Sequence, residues 1–306
     1  MLEIPVAAIA AQSDTFYTAS PEWGWIVVVY FFLGGIAGGA AFLAAMLDLF
    51  GNASDRPMAR IGYLVAFVAI LLAGPLLIVD LTRPERFWHM FLQADSGIPM
   101  IKWYSPISLG AWVVGLFTLF AALALAASLA ETGRLPAGLR GLGEGTLGKI
   151  ISAATGLLGI FIAGYTGVLL AATNRPLWAD SWWIGLLFLL SGISAGAALM
   201  LLLGYRHTHP GSVHWLGQMD LYSSVLELVV LAVLAISLGS VLQEVWGNVW
   251  GGLLVVGVVL LGLLIPMLLH WRPRMLGQMS IPSAAVLVLV GSFLLRTIVV
   301  LSSEAV

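Results

Sequence analysis

There is no cysteine among these 306 residues. Without thiolates the protein cannot ligate an iron–sulfur cluster, attach a c-type haem or form a disulfide. Charge is scarce as well: Asp, Glu, Lys and Arg make up 9% of the residues and the net charge is −2, which gives no basic footprint for nucleic acid. The only lysines, Lys102 and Lys149, flank apolar segments, so a retinal-type Schiff base has no residue to form on. The five histidines (89, 207, 209, 214 and 270) fall in loops or at the ends of apolar segments. That leaves no bis-histidine haem b site between helices; one axial ligand at an edge stays open. The chain therefore brings neither haem nor iron–sulfur cluster of its own, and no metal is expected on it.

What is abundant is apolar sequence. The chain is 60% hydrophobic with a mean hydropathy of +1.03, far outside the range of soluble domains. A span needs roughly 20 mostly apolar residues, and eight segments qualify, near 24–49, 59–80, 105–130, 146–172, 182–203, 220–243, 249–270 and 281–302. Long apolar runs with 35 glycines, rather than short alternating segments, favour helices over a β-barrel. The expected class is an all-α membrane protein of eight transmembrane helices.

Residues 31–43 (Phe-Phe-Leu-Gly-Gly-Ile-Ala-Gly-Gly-Ala-Ala-Phe-Leu) return at 188–200 as Phe-Leu-Leu-Ser-Gly-Ile-Ser-Ala-Gly-Ala-Ala-Leu-Met, with seven of thirteen positions identical. Small residues at this spacing suit close helix packing in lipid. An offset of four helices gives both halves the same orientation, hence two repeated four-helix bundles about an axis along the membrane normal. The division falls at 1–172, an N-terminal tail plus helices 1–4, and 173–306, a linker loop plus helices 5–8.

Loops after helices 1, 3, 5 and 7 carry Arg56, Arg60, Arg134, Arg140, Lys149, Arg206, Arg272 and Arg274; the other side has only Arg83, Arg86, Lys102 and Arg175. The positive-inside rule then places both termini outside the cytoplasm. Residues 1–22 lack the basic start of a signal peptide and read as a retained outer tail. Nine of the twelve tryptophans (23, 25, 88, 103, 178, 182, 183, 246 and 250) fall at outer helix ends. They form either an aromatic belt or a docking surface for a partner or an entering amphiphile. Arg206, His207, His209 and His214 lie in the segment 204–219, read as a solvated cytoplasmic loop with metal binding as the alternative.

Ionisable residues inside or at the edge of spans are costly in hydrocarbon and are functional candidates. Asp80 ends helix 2 and is followed by Arg83, Pro84 and His89. This is either a helix terminus fixed by an Asp–Arg pair or a polar lid over an outer-leaflet pocket. Tyr30 and Tyr165 both lie roughly 10 Å below the outer interface by helical rise, a depth suited to hydrogen-bonding the carbonyl of a ring-headed lipid. In the second half, Asp220, Glu227 and Arg296 either carry protons from the cytoplasm or are buried groups paired with neighbours. Glu227 and Arg296 start about 13 Å apart in depth by the same rise.

Taken in order, Trp23-Gly24-Trp25 leading into Tyr30-Phe-Phe-Leu-Gly-Gly-Ile-Ala-Gly-Gly, then Asp80-Leu-Thr-Arg-Pro-Glu-Arg-Phe, Tyr165-Thr-Gly-Val-Leu-Leu with Pro176-Leu-Trp178, and Phe293-Leu-Leu-Arg296 resemble NrfD-type membrane subunits of polysulfide-reductase-like systems. The likeness covers nearly the whole chain. It implies a subunit of the prokaryotic inner (cytoplasmic) membrane that exchanges electrons between a quinone (menaquinone or ubiquinone) and a docked ferredoxin-like iron–sulfur subunit. That partner in turn serves a molybdopterin-type catalytic subunit. By the match Tyr165 inherits hydrogen bonding to the quinone head group; on the residues themselves Tyr30 helps position the ring, and Asp80, or His89 if its loop with Arg83 folds inward, accepts protons. Where relatives carry histidine near Tyr30, this protein has a phenol, which does not readily accept a proton at neutral pH. A secondary transporter on a tandem repeat and a purely structural anchor are the other two classes left open.

Overall fold

The computed structural model describes residues 23–81, 83–93, 95–173, 175–272 and 276–304. The expected outer tail 1–22 and Arg274 of the charge count lie outside these described residues. Among the described residues eight helices are long and apolar enough to cross a membrane. They are α1 (Trp25–Phe50), α2 (Arg56–Val79), α3 (Pro106–Glu131), α4 (Gly145–Ala171), α5 (Trp183–Gly204), α6 (Pro210–Leu238), α7 (Val249–Trp271) and α8 (Ser280–Glu304). The protein is a multi-pass, all-helical membrane protein.

Local chemistry sets the boundaries. Asn52 and Asp55 form a reciprocal capping box between α1 and α2, satisfying backbone donors that the new helix leaves orphaned. The Asp55 carboxylate also accepts from Ser212 at 2.6 Å, which ties that turn to the start of α6. Ser105 caps α3 and Pro106 follows at its first position, where a missing N–H costs nothing.

One span departs from expectation. α6 starts at Pro210, ten residues before the apolar run from 220, and ends at Gly239 with φ +54. Polar residues after Pro210 thus belong to a helix and not to a solvated loop: His209 accepts from the Gly211 N–H at its N-cap. A hydropathy window misses such a turn because it weighs composition, whereas Pro at N1 and a capping side chain decide where a helix begins.

α1 is the most enclosed span, packed against α2, α4, α5 and α8. α2 and α4 pack in turn on α3, while α5 and α8 pack with α6 and α7. The repeated small-residue segments of α1 and α5 lie directly against each other. A β-carbon on Gly39 would overlap the Gly192 carbonyl, and one on Gly196 would overlap the Ala40 nitrogen. Backbones this close leave no room for any side chain, which is why these positions hold glycine. The centre of α7, Leu254–Leu264, winds as π-helix and meets α8 where Gly262 and Gly291 abut.

The tryptophans divide. Trp103 and Trp182 are exposed, as a belt or docking surface requires, but Trp178 and Trp246 are buried. Their indole N–H groups donate to the Val299 carbonyl at 2.7 Å and to Ser302 at 3.1 Å. These two rings are core, admitted because each polar N–H finds an acceptor inside.

Candidate functional site

A cavity of about 230 Å³ opens among the N-terminal end of α1, the C-terminal ends of α2 and α4, and the start of α3. Its walls are mainly apolar, including Phe31, Ile70, Leu77, Met90 and Ile162, and the polar groups that line it include Tyr30, Asp80 and Tyr165. An apolar chamber with a few convergent polar groups is the usual form of a small-molecule site. Three of the residues singled out in the sequence thus share one cavity. Arg83 and His89 are not among its lining residues: Arg83 is exposed, and the half-buried His89 ring packs edge-on against Trp88 at 3.8 Å. Arg83 precedes and His89 belongs to the short helix Pro84–Met90, from which Met90 reaches the cavity.

Each polar group is held from its own helix. Asp80 caps the end of α2, its N–H bonded to the Leu76 carbonyl at 3.0 Å. Pro75, inside α2, removes one backbone donor beside the cavity, a local weakening of the ladder. Tyr30 donates its hydroxyl to Asp80 Oδ2 at 3.3 Å. Burial holds the Asp80 carboxyl above the 3.8 of an exposed aspartate, and the Tyr30 hydroxyl partly opposes that rise. Tyr165 stacks on Phe161 with ring centres 5.5 Å apart and donates to the Pro106 carbonyl at 2.5 Å. The phenol reaches α3 only because Gly110 has no side chain; a β-carbon there would overlap the Tyr165 hydroxyl. Gly110 escaped the sequence reading, since a glycine in a glycine-rich helix carries no distinguishing mark.

Both phenolic hydrogens are therefore engaged, and what the cavity presents is acceptors: two phenol oxygens and the remaining Asp80 oxygen. Such an arrangement receives hydrogen bonds from a ligand hydroxyl and has a carboxylate placed to take its proton.

The second half builds a different kind of site. Asp220, Glu227 and Arg296 are all buried and lie among buried serines of α5, α6 and α8. Ser194 donates to Asp220 Oδ1 at 2.5 Å and sits 3.3 Å from the Ser224 hydroxyl. Ser191 accepts from Arg296 Nη1 at 3.2 Å and sits beside Glu227. Arg296 also donates to Ser292, to the Phe188 carbonyl and, through Nε, to the Phe31 carbonyl at 3.2 Å. That set satisfies a buried guanidinium without a direct carboxylate contact. Ser191 and Ser194 were not singled out in the sequence, yet the repeat marks them: they replace Gly34 and Ala37 of the first copy. Gly34 itself lines the cavity.

A third polar cluster, also unforeseen, lies at the opposite end of the first half. There Asp48 accepts from Tyr63 at 3.1 Å and from Ser152 at 2.5 Å, and Arg56 pairs with Glu131 at 2.9 Å.

Comparison with known proteins gives this geometry its context. Protein NrfD of Escherichia coli (strain K12) is 28% identical over 321 aligned residues, spanning 96% of this protein and 98% of that one. A polysulfide reductase chain of Wolinella succinogenes is 28% identical over 236 residues, 71% of this protein and 70% of the relative. A selenate reductase subunit of Mesobacillus selenatarsenatis is 27% identical over 222 residues, 61% of this protein and 48% of the relative. The family model described as "Polysulphide reductase, NrfD" matches residues 14–306. With its eight helices, the protein belongs to the NrfD family of polysulphide-reductase-type membrane proteins.

Proposed function

We propose that the protein is the membrane anchor and quinone-reactive subunit of a multi-subunit oxidoreductase. It passes electrons between the quinone pool and an iron–sulfur subunit docked on it, which serves a molybdopterin-type catalytic subunit. The observation that carries this reading is the convergence of Tyr30, Asp80 and Tyr165 in one apolar cavity at helix ends. Relatives named as single components of a polysulfide and a selenate reductase support a role as one member of a complex.

In the direction of quinol oxidation, the ring of a quinol (menaquinol or ubiquinol) occupies the cavity and its hydroxyl donates to the Tyr165 oxygen. Asp80 accepts a proton, and its hydrogen bond from Tyr30 keeps the carboxylate aimed inward. Two electrons leave for the partner's cluster and two protons are released. Quinone reduction uses the same groups in reverse. The cavity faces the extracytoplasmic leaflet of the inner membrane if the basic loops lie in the cytoplasm, which puts the partner on that side. Protons also have a place to bind in the second half, along the series from Asp220 to Glu227.

The test is Tyr165→Phe in the assembled complex. Loss of one hydrogen-bonding hydroxyl, worth about 1 kcal/mol, lowers quinol-linked turnover roughly three- to tenfold while the partner subunits still co-purify. Unchanged turnover removes Tyr165 from the site and leaves the protein a structural anchor.

A further inference from the structure

His270, in the last turn of α7, lines a cleft of about 500 Å³ at the end of α5–α8 away from the quinone cavity; Tyr205, His214, Gln218 and Trp271 also border it. Its Nδ1 lies 2.9 Å from the Pro266 carbonyl. A carbonyl only accepts, so Nδ1 carries the hydrogen and Nε2 is the nitrogen left to bind or release a proton. Nε2 faces Asp220 Oδ2 at 3.6 Å. From the other Asp220 oxygen the path continues through Ser194 to a small void that Ser194, Glu227 and Ser292 share. Every group to this point can both take and give a proton, or reorient a hydroxyl between neighbours.

Arg296 breaks that rule. A guanidinium has donors only and does not give up its proton in a protein. Here it stands between Glu227 and α1, with its N–H groups committed to Ser191, Ser292, Phe188 and Phe31. Gly35 admits it, since a β-carbon there would overlap the guanidinium. A proton that reaches Glu227 therefore meets a fixed cation with no free lone pair, the electrostatic barrier used in pores that exclude protons.

We propose that the second half is a one-ended proton well: it opens at His270 on the cleft, runs through Asp220 and the serines, ends at Glu227, and is sealed from the quinone cavity by Arg296. The groups facing Glu227 define it. α8 contributes Arg296 and Ser292, α5 contributes Ser191 and Ser194, and α6 itself contributes Asp220. The π-helical stretch of α7 adds Val258, Gly262 and Leu263, which are apolar. A proton held at Glu227 is felt in the cavity as a change in field around Arg296, whose Nε holds the carbonyl of Phe31, a residue of the cavity wall. It is not delivered there. This goes beyond the quinone reading and does not depend on it.

The test is infrared difference spectroscopy of the intact complex in sealed vesicles, following the carboxylic-acid C=O band while pH is changed on one face at a time. The well predicts a band that follows pH on the His270 face only, vanishes in Glu227→Gln, and responds on the order of a hundredfold more slowly in His270→Gln. His270→Gln alters a partly exposed side chain at the cleft wall, so it keeps the test alive should Glu227→Gln fail to assemble. A band that follows pH on the cavity face, or survives in Glu227→Gln, overturns the proposal. So does steady proton flux through the complex with no quinol present, because a through-route has no seal. None of these readouts uses quinol turnover, so failure of the quinone assignment leaves the result intact.

Discussion

Tyr165 has given its hydrogen to Pro106 and Tyr30 has given its own to Asp80, so a ligand meets oxygen lone pairs at both phenols. In the proposed reaction Asp80 is the group whose charge changes. Burial favours its protonated form over that of an exposed carboxyl. As a base it works only when ionised, so turnover falls as pH drops through a value above 3.8. Asp80→Asn removes that acid limb and most of the activity, and pH–rate profiles of both proteins check it. The linkage runs the other way for stability. A carboxyl raised in the folded state holds its proton more tightly folded than unfolded, so its contribution is greatest at acid pH and fades as pH rises through the raised value. At neutral pH Asp80→Asn is therefore no less stable than the parent, read by thermal unfolding in detergent. Tyr30, Asp80 and Tyr165 were legible because a polar group in an apolar run stands out against its background. Gly110 was not, because its contribution is the absence of a side chain where Tyr165 needs room.

Helices were placed well wherever hydropathy alone sets the ends, and misplaced at α6, where Pro210 and the His209 cap begin the helix in polar sequence. The π-helical winding of α7 had no trace in composition: Leu254–Leu264 is uniformly apolar. Packing gives the prediction at this scale. Gly39→Ala forces a β-carbon into the Gly192 backbone and costs about 1–3 kcal/mol through overpacking. Gly252→Ala, with open space around it, is neutral or stabilises by up to about 1 kcal/mol. Paired unfolding midpoints of the two variants measure the difference. Pairs of near-identical helices are easy to find in sequence, but nothing in the letters says that they meet each other.

Across the whole molecule the two copies of the small-residue segment have diverged where it matters. Gly34 lines the cavity in the first half; its counterpart Ser191 accepts from the buried Arg296 in the second. The same position makes space in one half and a hydrogen-bond acceptor for a buried guanidinium in the other. With no thiolate ligands in its sequence, the proposed role leaves electron storage to a partner and puts the meeting point with the quinone pool at the cavity. Photolabelling puts that meeting point to the test. Native membranes containing the assembled complex are irradiated with an azidoquinone and the modified peptides are mapped. A quinone in the cavity places label on its lining segments, around Ile70–Leu81 at the end of α2 and Ile107–Val114 of α3, displaced by excess quinone. Displaceable label confined to the cleft around His270, or to the partner subunits alone, contradicts a quinone site in the first half.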